Sequence, residues 1–198
     1  MNREIVKLSA GLLLAVIVFG AGAIGWRLRD SHHPQDVSDR QAAIALEIAL
    51  EKLGDPYVWG ARGPDSFDSS GIIVYAYQQA VPYTAFRVGD GWWPGYSSNA
   101  NHRDIYTWNF REMPLDDLRP GDLVYISDGS ADVTHGMFFV GWEADGIMEV
   151  LDASSRLMRV ARQTWPVEGE VRGQKFVAAG RLQINAREEW LRHEPEAP

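Results

Sequence analysis

At Pro120-Gly121 the chain changes its periodicity, and that change limits the folds open to it. Downstream, residues 122–127, 136–142, 147–152, 157–161 and 176–184 are short runs rich in β-branched and aromatic side chains. Turn signals at Asp128-Gly129, Asp145-Gly146 and Ser154-Ser155 separate them. Short strands with brief turns predict an antiparallel sheet of about five strands, connected as a meander. Upstream the period is helical. Ala42, Ala45, Leu46, Ala49, Leu50 and Leu53 recur at helical spacing from Ser38, Ile44 and Ile48 widen the apolar face, and Gly54 and Pro56 end the helix. A second helix is expected over residues 70–80, before Pro82. Helices first and strands later make an α+β domain over residues 38–185, with a charged tail over 186–198.

The N-terminal part is of another kind. Residues 8–26 are apolar and uncharged, with Arg3 and Lys7 before them and Arg27 and Arg29 after. That length spans a bilayer core, so residues 1–29 are read as a membrane anchor with one transmembrane helix and residues 30–37 as a linker. A cleavable signal peptide is the competing reading, because Ala21-Gly22-Ala23 resembles a small-residue cleavage site. The Lys and Arg counts flanking the run are balanced and do not orient it.

A net charge of −8 and the absence of any basic run argue against a nucleic-acid partner. No cysteine is present, which excludes disulfides, thiolate metal sites and cysteine catalysis. No pair of histidines, or of His and Glu, has metal-ligand spacing on a helix, and neither metal nor cofactor is expected. Eight tryptophans are more than a small core needs. Trp92, Trp93 and Trp108 fall in residues 83–114, a long stretch without clear period, where they are read as an ordered loop that docks a partner or packs on its own domain.

Three polar positions are candidates for one site. Ser69 stands where the turn through Gly60 and Pro64 leads into the second helix, and unpaired backbone N–H groups and the positive end of the helix dipole gather there. His135 opens one strand and Asp152 closes the next, at the ends far from the Asp145-Gly146 turn. Nucleophile, base and orienting carboxylate are the parts of a covalent acyl-transfer site. By themselves three such residues are a weak signal in a chain of this size.

Four motifs strengthen it: Tyr57-Val58-Trp59-Gly60-Ala61, Asp68-Ser69-Ser70-Gly71, Pro120-Gly121-Asp122-Leu123 and His135-Gly136-Met137. In this order and spacing, from about Gln41 to Ile184, the chain resembles the NlpC-type family of papain-like cell-wall peptidases. The resemblance implies a papain-like domain whose helices pack on the antiparallel sheet. It also implies that Ser69 stands at the catalytic cysteine, His135 at the general base and Asp152 at the third residue. Tyr57, Asp68 and Ser70 match positions that shape a pocket for γ-D-glutamyl stem peptides of peptidoglycan. An extracytoplasmic, periplasmic domain on a single-pass inner-membrane anchor follows from the same resemblance.

Two departures separate the chain from that pattern. Asp152 replaces the usual His, Asn or Gln, and an aspartate still orients an imidazole. Ser69 replaces the thiol, and a serine hydroxyl ionises far above a cysteine, so no resting ion pair with histidine forms. The expectation is a pseudoenzyme: an inactive accessory or structural subunit of a membrane complex, or a peptide-binding module. The alternative is a peptidoglycan endopeptidase or amidase in which Ser69 is an exchanged cysteine or a true serine nucleophile.

Overall fold

Ser38 starts the first helix by sharing hydrogen bonds with the residue three positions on. Its hydroxyl accepts from the Gln41 amide at 3.3 Å, and Gln41 Oε1 accepts from the Ser38 amide at 2.8 Å. This reciprocal cap fixes α1, Asp39–Leu50, whose Ala42, Ala45, Leu46 and Ala49 face the core as the periodicity predicts. The helix ends earlier than its pattern. Leu53, expected on the buried face, is exposed, because the chain turns through Gly54 (φ 94°) and runs beside the sheet, where the Gly54 amide donates to Val160 O at 2.9 Å. The computed structural model describes residues 34–82, 84–89 and 95–184, within one unit that starts at Pro34. The apolar run 8–26, Trp92, Trp93 and the tail 186–198 lie outside the described residues. Among the described residues no helix is long and apolar enough to cross a membrane.

The second helix, α2, spans Ser69–Ala80 and buries Ile72, Ile73, Val74, Ala76 and Tyr77. Ile72 and Ile73 are fully covered, and each such burial contributes about 1.5–3 kcal/mol. The Tyr77 hydroxyl donates to Gly121 O at 2.7 Å. Gly121 is itself where α1 comes close, since a Cβ there would lie 2.1 Å from Ala42 O. One glycine thus lets both helices seat against the start of the sheet.

The main sheet is antiparallel, in the order β1-β9-β5-β6-β7-β8: β1 is Gln35–Asp36, β5 Leu123–Ser127, β6 His135–Ala144, β7 Ile147–Ser154, β8 Arg159–Pro166 and β9 Lys175–Ile184. A short strand β4, Phe110–Glu112, also pairs with β9. The sheet therefore has seven strands rather than about five. The two extra ones are too short to show an alternating pattern, and β1 lies in what was expected to be linker. The meander holds for β5 to β8, but β9 pairs with β5 at the other side. Alternation along β5 divides the interior: Leu123 and Tyr125 join the core under α1 and α2, while Val124 and Ile126 join a second cluster with Met137, Met148, Val150 and Trp165.

Residues 83–114 are more regular than their composition suggested. They hold a two-stranded ribbon of β2 (Phe86–Val88) and β3 (Gly95–Ser97), and α3 (His102–Trp108) before β4. Asn109, fully buried, ties them together: its Oδ1 accepts from the Arg87 amide at 2.8 Å, and its Nδ2 donates to Arg87 O at 2.8 Å and Asp104 O at 2.9 Å. The Trp108 indole donates to Gly89 O at 2.9 Å and lies under the Arg87 guanidinium, so its contacts are internal. Arg181 braces the opposite part of the fold. Almost wholly buried, it pairs with Asp122 and donates to Val37 O at 3.0 Å and Asp39 Oδ1 at 2.6 Å.

Candidate active site

Asp68 organises the start of α2. As N-cap it accepts from the Gly71 amide at 2.5 Å and the Ser70 hydroxyl at 2.9 Å through Oδ1, and from the Gly60 amide at 3.0 Å through Oδ2. The loop that returns the Asp68 carboxylate to Gly60 packs tightly, because a Cβ on Gly71 would lie 2.1 Å from Ala61 O. Asp68 is therefore fully engaged in holding the turn. Ser70 is buried beside it and also accepts from Arg62 Nη1 at 3.4 Å, while Arg62 reaches Ala100 O at 3.2 Å. Tyr57 keeps part of its surface exposed. Burial, and then the negative charge of Asp68, push its phenol upward, so it stays a hydrogen-bond donor. Trp59, next to it, is 87% exposed.

The cap places Ser69 at the first position of α2, where its amide and that of Ser70 have no carbonyl within the helix to pair with. Its hydroxyl does not bond to His135. Ser69 Oγ lies 2.8 Å from Nε2 of His102, a residue to which the sequence assigned no role. The capping box of α3 puts it there. Asn101 Oδ1 accepts from the Asp104 amide at 2.9 Å, which makes His102 the first residue of the helix. The signal was present in the sequence as Asn101 followed three positions later by Asp104, inside a stretch whose aromatic content hid it.

The other ring nitrogen of His102, Nδ1, is buried without a partner. It is covered by the backbone of Gly136, where a Cβ would stand 2.7 Å from both Nδ1 and the Tyr125 ring. Either tautomer leaves a buried polar atom unsatisfied, a bare lone pair or an N–H without an acceptor, at about 1–3 kcal/mol. Desolvation, then the neighbouring His135 and Arg62, hold His102 well below the usual imidazole range. It is a neutral ring, set edge-on to Tyr125 and 5.6 Å from the ring of His135.

His135 and Asp152 do come together, as expected. His135 Nε2 is 2.7 Å from Asp152 Oδ2, and Gln163 Nε2 donates to Asp152 Oδ1 at 2.7 Å. The register produces this pair. Phe138 faces Leu151, so His135 and Asp152 stand on one face of β6 and β7 as diagonal neighbours. Asp152 is 1% exposed, and both its oxygens are occupied. The site thus consists of two separate pairs, Ser69 with His102 and His135 with Asp152. Among the described residues no group of three His, Cys, Asp or Glu side chains could hold a metal ion.

Residues 54–171 match the family model described as NlpC/P60. The chain belongs to the NlpC/P60 family. Curated relatives include a probable endopeptidase of Mycobacterium tuberculosis, 32% identical over 114 residues, which covers 56% of this chain and 23% of the relative. The probable endopeptidase p60 of Listeria grayi is 29% identical over 134 residues, 68% of this chain and 21% of the relative. The chain spans about a quarter of the length of these relatives. Among solved structures, NlpC2 from Trichomonas vaginalis superposes with a TM-score of 0.52 at 21% identity, covering 75% of this chain and 49% of that one. The four motifs that suggested the family lie on the NlpC/P60 papain-like scaffold, with helices beside an antiparallel sheet. Ser69, at the helix start, stands at the position the resemblance gives to the nucleophile.

Proposed function

We propose that this NlpC/P60 domain binds peptidoglycan stem peptides without cleaving them, as a recognition or scaffolding module of a cell-envelope membrane complex. Residues 8–26 would tether it to the inner membrane with the domain outside. The hydrogen bond between Ser69 and His102 carries the reading. Serine attack requires the base to become an imidazolium as the hydroxyl proton leaves. His102 is partly buried with its Nδ1 enclosed, adjoins His135 and Arg62, and has no carboxylate on Nδ1, so each feature of its surroundings opposes that charge. In serine hydrolases an aspartate behind the histidine is worth about 10⁴ in kcat. The histidine with such a partner is His135, to which the hydroxyl is not bonded.

Binding is supported separately. The helix-start amides of Ser69 and Ser70 attract a carbonyl or carboxylate oxygen, and Tyr57, close enough to the N-cap Asp68 to feel its charge, presents a protonated phenol. The names of the relatives, endopeptidases of two bacteria, agree with a peptide ligand. Titrating the protein with a γ-D-glutamyl stem peptide by calorimetry tests the proposal. Saturable binding that weakens in Tyr57→Ala, with the peptide recovered intact, is the expected result; absence of binding would overturn it. A serine peptidase is the second reading, favoured by the intact His135–Asp152 pair, and requires the Ser69 hydroxyl to leave His102 for His135.

A further inference from the structure

On the face of the sheet that carries the second core cluster lies a cavity of about 280 Å³, with His135 and Asp152 in its lining. Its inner wall is apolar: Ile126, Met137 and Trp165 are almost fully buried. Its rim is cationic. Arg156 spends one nitrogen on Gln163 Oε1 at 3.1 Å, and Arg172 makes no hydrogen bond or ion pair among the described residues. Trp165 adds a buried indole N–H without an acceptor. Asp152 is the carboxylate in the lining; its two oxygens are bonded to His135 and Gln163, and neither is hydrogen-bonded to Arg156 or Arg172.

Arg172 is held over the cavity by an unusual turn. Val171 and Gln174 exchange both backbone hydrogen bonds, at 2.9 and 3.0 Å, closing a two-residue turn. Its central residues, Arg172 (φ 54°) and Gly173 (φ 79°), are both left-handed. Asparagine or glycine is the unstrained choice at the first of these positions. The sequence instead puts a long cation there, with no partner for it among the described residues.

We propose that this cavity binds a free carboxylate carried on a short aliphatic stem. The carboxylate would lie between Arg156 and Arg172, whose forked guanidinium donors match its two coplanar oxygens. The Trp165 N–H supplies a third donor, and the stem lies against Ile126 and Met137. This site is distinct from the Ser69 start of α2 and does not depend on stem-peptide binding there.

Hexanoate is the probe, titrated into the full ¹⁵N-labelled chain while the Trp165 indole N–H resonance, assigned through Trp165→Phe, is followed. A saturable shift is expected with hexanoate, together with at least tenfold weaker binding to the double variant Arg156→Gln, Arg172→Asn. Asparagine suits the left-handed turn position, so this variant keeps the fold, which the rest of the spectrum reports. Absence of saturation, an equal response to hexanamide, or unchanged affinity in the double variant would overturn the proposal. Binding of hexyl phosphate in place of hexanoate would overturn the carboxylate assignment. No stem peptide is present, so the outcome is independent of the function proposed above.

Discussion

Replacing His102 with glutamine should flatten the acid dependence of stability in the range just below neutrality. In the folded chain burial, then His135 and Arg62, keep the ring neutral well below its usual value of 6.5. In the unfolded chain it protonates near that value. The unfolded state therefore binds the extra proton. The stabilising difference is complete above about pH 6.5 and is lost as pH falls below it. One proton of difference is worth about 1.36 kcal/mol per pH unit. Integrated from about pH 7.5 to about pH 5.5, the loss assigned to His102 is about 1.3 kcal/mol, or about 3–5 °C in Tm for a domain of this size. Glutamine has no such proton. Ser69, His135, Tyr125 and Arg62, which surround the ring, are common to both proteins. Urea titrations of the two across that range should diverge by this amount, the native protein losing more. Parallel stability profiles would refute a neutral His102.

Two further substitutions probe the frame. Arg181→Met leaves Asp122, whose side chain is fully buried, without its cation, and should cost about 3–5 kcal/mol in chemical denaturation. Adding Asp122→Leu should recover most of that loss. Gly71→Ala forces a Cβ to within 2.1 Å of Ala61 O, and should cost about 1–3 kcal/mol while also reducing stem-peptide affinity, since the loop and the helix start shift together.

Much of the scaffold was legible because each element carries its own chemistry. The Ser38 cap with the Ala42-Ala45-Leu46-Ala49 face defined α1, and β-branched runs between glycine turns defined β5 to β9. Strand order was less visible, because nothing local in Lys175–Ile184 says that it pairs with β5 instead of β8. The short strands β1 and β4 lack enough residues for a period. At the site, His135 and Asp152 were found from the hairpin that joins their strands. His102 was missed because it reaches Ser69 through tertiary packing over Gly136, and only the Asn101–Asp104 cap hinted at the helix that carries it. The glycine that follows His135 in the motif has a reason that sequence could not supply: it is the surface on which the His102 ring rests.

The central claim is that Ser69, bonded to a histidine that resists protonation, is not a working nucleophile. Its most direct test is prolonged incubation of a γ-D-glutamyl stem peptide with the native protein, Ser69→Ala and Ser69→Cys, with products read by mass spectrometry. The native protein should leave the peptide as intact as Ser69→Ala does. Cleavage by the native protein that disappears in Ser69→Ala would contradict the claim.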